Sequence, residues 1–111
     1  MIVVAVRDLL FRSKITSAAE RLAVPVLLAP RDRPLGDVVR ETAGASVLAD
    51  LNQPGIVEEL AALKRDTGAR VVGFLGHLQA DLIEAAEAAG VDEVMTRGQL
   101  TGRLDEVLRR G

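Results

Sequence analysis

The sequence predicts an α/β domain built on one parallel, doubly wound sheet with helices on both faces. Short apolar runs rich in β-branched residues alternate five times with stretches of helical periodicity. These runs lack the in-out alternation of a half-wet strand, so both of their faces must be covered. The connections are short, which suits right-handed crossovers between parallel strands. No linker, low-complexity tract or internal repeat beyond the strand-helix unit interrupts residues 1–111, so a single domain with one core is expected.

Ile2-Val3-Val4-Ala5-Val6 opens the chain as a strand. Asp8 is placed to cap a first helix, whose inner stripe is Phe11, Ile15, Ala18 or Ala19, and Leu22, and Pro25 forces the chain out of it. Val26 to Ala29 gives a second strand, residues 30–34 a polar turn, and Leu35 to Ala43 a short helix ending at Gly44. Ser46 to Leu51 is the third strand. Pro54 suits the first turn of the helix that follows, with Ile56, Leu60 and Leu63 facing inward until Thr67-Gly68 stops it. Arg70 to Leu75 is the fourth strand. Glycine weakens a strand interior, so Gly73 implies either a helix approaching closely or room for Phe74 and the Gly76 loop to shift. Gln79 to Ala89 carries Leu82, Ile83, Ala86 and Ala89 on one side of a fourth helix, with Gly90 at its end. Val91 to Thr96 is a weaker fifth strand, and Leu100, Leu104, Val107 and Leu108 mark one last helix.

With 49% hydrophobic and 27% charged residues the composition is that of a soluble globular protein, and its core must be aliphatic because Phe11 and Phe74 are the only aromatics. A net charge of −2 leaves no surplus positive field for a nucleic-acid backbone, and no aromatic platform exists for stacking bases. Nucleic acid is therefore not an expected partner. The absence of cysteine excludes disulfides, thiolate catalysis and cysteine-metal sites, and a single histidine, His77, excludes a histidine-rich metal centre. The first apolar segment stops at Val6, too short for a signal peptide or a bilayer span, so a cytoplasmic protein without membrane association is expected. Arg31 and Arg33 read as solvating a loop, and Arg12-Ser13-Lys14 as a solvated helix face.

In open sheets of this class, ligands bind outside the carboxyl ends of the strands, where the strand order reverses. The residues gathered there are Arg7 and Asp8 after strand one, Asp50 and Asn52 after strand three, Gly76 and His77 after strand four, and Thr96 and Arg97 after strand five. His77 has a histidine's capacity for general-base work, yet no serine, cysteine or second acid is placed in sequence as its partner, and a solvated loop residue is expected. No glycine-rich phosphate loop opens helix one, where the sequence is Val6-Arg7-Asp8-Leu9.

The order of these residues, their spacing and the phrase ADLNQPG at residues 49–55 resemble the receiver domain of two-component response regulators, from Ile2 to about Leu108. The resemblance implies a CheY-like, flavodoxin-like (βα)5 fold with strand order 2-1-3-4-5. In that family a phosphoryl group passes from a histidine kinase to an aspartate at the end of strand three, in a motif close to D-L-x-x-P-G. Residues Asp50 to Gly55 match it. The family's chemistry also needs an acidic pair after strand one, since Mg²⁺ requires several hard oxygen ligands. Val6 and Arg7 stand in those places, with Asp8 one position late. The hydroxyl residue expected after strand four is Leu75 or Gly76, the Lys-Pro after strand five is Arg97-Gly98, and the switch aromatic is Val94. Asp50 alone is unchanged.

The resemblance is thus to a degenerate receiver without the metal site and without cofactor. Such a domain is expected to act by contact with a protein partner rather than as an enzyme, since no effector segment follows within the chain. Its contact surface would be helix four, strand five and the last helix, suited by their interspersed charges to a homodimer. Asp50 is expected to be held by Arg7 or Arg97, either of which would neutralise it and weaken it as a nucleophile. Asp8 is expected to cap its helix, and Asn52 to satisfy the turn after strand three. Two other readings stand beside this one. Asp50 and Asp8 could hold Mg²⁺ in a rearranged site of a working response regulator, or the crevice near Arg7 and Arg97 could bind a small anion or nucleotide.

Overall fold

The computed structural model of the chain describes residues 1–76 and 78–111; His77, the one candidate general base, lies outside them. Five strands, β1 (Ile2–Ala5), β2 (Val26–Leu28), β3 (Ser46–Asp50), β4 (Val71–Leu75) and β5 (Glu93–Thr96), form one sheet in the order 2-1-3-4-5. All four pairings are parallel. The helices are α1 (Leu9–Leu22), α2 (Leu35–Arg40), α3 (Ile56–Thr67), α4 (Ala80–Ala88), α5 (Arg97–Gly102) and α6 (Leu104–Arg110). Among the described residues no helix is long and apolar enough to cross a membrane.

The continuous apolar strands are explained by two cores, one on each face of the sheet. Ile2, Val4, Leu48, Val72, Phe74 and Met95 point to the face covered by α1, α5 and α6. Val3, Ala5, Val47, Ala49, Val71 and Leu75 point to the face covered by α2 and α3, where α4 contributes Ala86. Asp50 falls on the first face, in register with Phe74 on β4.

Several details differ from the sequence reading. α1 ends at Ala23 in the left-handed region (φ 55°), two residues before Pro25. Gly73 is crowded not by a helix but by Leu51, the first residue of the loop after β3: a Cβ built there would sit 2.8 Å from three Leu51 side-chain carbons. The expected single last helix is two pieces that meet at Arg103 (φ −120°, ψ 15°). Leu100, Leu104, Val107 and Leu108 stay buried across that break, so an unbroken apolar stripe conceals it. The stripe expected on α4 is weaker than its spacing implies, with Ala86 fully buried while Leu82 and Ile83 are half-buried.

Candidate functional site

Asp50 is the only buried charged residue among those described, with its side chain 12% exposed. β3 delivers it to the carboxyl edge of the sheet, and an Asx turn then reverses the chain: its Oδ1 accepts the Asn52 backbone N–H at 2.9 Å. Asn52 goes on to tie two strand ends together. Its Oδ1 accepts the Gly76 N–H at 2.8 Å, and its amide nitrogen donates to Gln79 Oε1 at 2.7 Å. Gln53 does the same on the other side, donating to the carbonyls of Ala5 at 2.7 Å and Asp50 at 2.9 Å. The motif after Asp50 is therefore a clamp that holds β1, β3 and β4 in fixed relation.

Asp8 caps α1, accepting the N–H groups of Leu10 at 3.0 Å and Phe11 at 3.2 Å on Oδ1. Its Oδ2 faces Arg97, whose Nη1 donates at 3.1 Å. The Phe11 N–H, followed by the Arg97 guanidinium, holds the Asp8 carboxyl below the usual carboxylate range. Arg97 Nη2 stands 4.0 Å from Asp50 Oδ2, so one guanidinium lies between the two acids and closer to Asp8.

Beneath this cation lie the chain's only two aromatic rings. Phe11 and Phe74 meet with centroids 5.0 Å apart, and the Arg97 carbon sits 5.1 Å from the first ring and 5.9 Å from the second. Both distances are within cation–π range. Arg97 occupies the first position of α5, where a capping box formed by Thr96 and Gln99 fixes the backbone. A cation in a first helical turn gains nothing from the peptide dipoles. Among the described residues its Nε is buried without a hydrogen-bond partner, and Asp8, Asp50 and the two rings are the groups that meet the guanidinium.

Of the candidate residues, the structure gathers Asp8, Asp50, Asn52, Gly76 and Arg97 around this edge. Arg7 is a correction. It makes no ion pair with Asp50 or any other described carboxylate, and its side chain instead lines a separate recess toward β2. The residue after a strand can leave the sheet in either direction, which spacing does not reveal. Gln53 and Gln99 escaped sequence reasoning although each had a signal, the first in its place after Asp50 and the second in the T-x-x-Q pattern of a capping box.

The oxygens present do not fit Mg²⁺. Both Asp8 oxygens are engaged, Asp50 Oδ1 is taken by the turn, and the remaining Oδ2 faces a guanidinium. No group of three or more His, Cys, Asp or Glu side chains among the described residues is arranged to hold a metal. The Arg97 guanidinium already stands between the two acids, and a hard dication needs several free anionic or carbonyl oxygens.

No protein-family model matches the sequence, and no curated protein is similar enough to count as a relative. Solved structures do match. The chemotaxis protein CheY4 of Vibrio cholerae superposes with a TM-score of 0.81 at 12% identity, covering 98% of this chain and 95% of that one. The receiver domain of the response regulator NarL from Mycobacterium tuberculosis gives 0.77 at 16% identity, with 98% and 92% covered. A beryllofluoride-activated NtrC4 receiver domain, solved as a dimer, gives 0.77 at 15% identity, with 98% and 96% covered. The chain has the fold of response-regulator receiver domains, over nearly its whole length.

Proposed function

We propose that this chain is a receiver-like signalling domain of the two-component type that works by protein-protein contact and not by metal-dependent phosphoryl transfer. The observation that carries this reading is Arg97, whose guanidinium bridges Asp8 at 3.1 Å and reaches Asp50 at 4.0 Å. A phosphoryl acceptor needs an available carboxylate and a cation that can be exchanged or shared with the incoming group. Here the cation is covalently part of the chain, and it rests on two phenyl rings.

The contact surface on this reading is α4, β5 and α6. Its charges are largely satisfied within the chain: Glu93 meets Arg70, Arg103 and Arg110, Asp92 meets Lys64, and Asp105 meets Arg21. Asp81, Glu84 and Glu87 on α4, with Arg109 on α6, remain free of such pairs among the described residues and are available to a second copy or another protein. The dimer of the NtrC4 receiver lends support to self-association.

Incubation with acetyl phosphate and Mg²⁺, followed by intact-mass measurement, tests the chemistry. The mass is expected to stay that of the unmodified chain. A stoichiometric phosphoryl adduct that disappears in Asp50→Asn would overturn the proposal and restore Asp50 as a phospho-acceptor.

A further inference from the structure

On the β2 side of the β1 end lies a recess of about 90 Å³ whose lining includes Arg7, Arg12, Arg31 and Arg33. It is bounded by the ends of β1 and β2, the start of α2 and the loop between β3 and α3, beside the β1/β3 switch point of the sheet. Gln53, bonded to the ends of β1 and β3, forms the wall nearest Asp50. The recess is therefore separate from the Arg97 cluster.

Its charge is out of balance. Eight of the chain's fourteen cationic side chains meet carboxylates within 4.0 Å. Arg7, Arg12, Lys14, Arg31, Arg65 and Arg109 do not, among the described residues, and three of these six line this one recess. Arg33 is paired with Glu41, outside the lining. Glu59 is the single carboxylate of the lining, and one of its oxygens accepts the Leu35 N–H at 3.1 Å. In a protein of net charge −2, a concave site lined by three unpaired arginines and one carboxylate holds a local positive excess that an anion would relieve.

We propose that this recess binds a phosphate group, as inorganic phosphate or as the phosphate of a small phosphomonoester. Its volume is enough to seat one tetrahedral oxyanion. Guanidinium forks match such an oxyanion with paired donors, and several of them together suit a dianion.

The test is a titration followed by NMR of backbone amides and arginine Nε–H groups, with inorganic phosphate in one arm, glycerol phosphate in a second and sodium chloride at matched ionic strength in a third. Saturable shifts at Arg7, Arg12 and Arg31 are expected with a Kd of about 1 mM or tighter. The double variant Arg7→Gln/Arg31→Gln is expected to bind about tenfold more weakly or worse, while Arg65→Gln and Arg109→Gln bind as the parent does. Equal affinity for the two phosphates assigns the site to the group alone, and tighter binding of the ester assigns a ligand with an organic part. The proposal falls if shifts do not saturate, if chloride reproduces them, or if the two control variants weaken binding as much as the double variant. The substituted arginines are exposed, and unchanged thermal unfolding of the double variant separates lost binding from lost fold.

Discussion

Gly73 lies opposite Ala49 in the sheet, and Leu51 fills the space its missing side chain leaves. Leu51 is itself 1% exposed and follows directly on Asp50, so it has little freedom to retreat. Gly73→Ala is expected to cost about 1–3 kcal/mol, as overpacked cores do, measured by urea denaturation. A midpoint equal to the parent's would show that the turn after β3 yields, and that the clamp is softer than its hydrogen bonds imply. Several carboxyls tie stability to pH, Asp92 and Asp8 among them. Burial pushes the Asp92 carboxyl up, but the Lys64 hydrogen bond at 2.6 Å, the Val71 N–H and nearby Arg70 together hold it below its usual range. Asp8 is held down by the Phe11 N–H and then by Arg97. A carboxyl depressed in the folded state stabilises above its unfolded pKa near 4, and that contribution is lost as pH falls through the folded value. The parent should therefore lose more stability than Asp92→Asn between about pH 6 and about pH 3. Equal losses in urea titrations at those two pH values would remove Asp92 from the account.

At the level of elements, α4 is weakly held for its nine residues. α3 buries Ile56, Leu60 and Leu63, and α1 buries Phe11, Ile15, Ala18 and Ala19, whereas α4 fully buries Ala86 alone. A helix held by so little apolar area opens locally at low cost. Amide hydrogen exchange is expected to be markedly faster along residues 80–88 than along α1 and α3, and uniform protection across the three would contradict this. The same weakness accounts for a mismatch between pattern and structure. Leu82 and Ile83 have core spacing, but in the structure both are only half-buried. The split of the last helix at Arg103 was equally hidden, because its two halves share one apolar stripe. Apart from that split, element types and order were legible, since short uninterrupted apolar runs read as strands covered on both faces and the stretches between them repeat at helical spacing.

For the whole molecule, the Cα radius of gyration of 12.7 Å is what one domain of this length should have, about 13 Å. Small-angle scattering is therefore expected to give that value at low concentration and to rise as copies pair through α4, β5 and α6. A radius that stays constant over the concentration range would remove self-association from the proposed function and leave contact with a different protein. The sequence alone determined the layered architecture, the arrival of Asp8, Asp50 and Arg97 at one edge of the sheet, and the presence of Val6 and Arg7 ahead of Asp8 where β1 ends. Those follow from periodicity and position, which are properties of the chain read in order. Tertiary structure alone decided which arginine meets Asp50, that the two phenyl rings lie under it, and that Arg7, Arg12 and Arg31 share a recess away from it. The reason is physical: a long side chain leaving the end of a strand can reach in several directions, and only the packed neighbours select one of them.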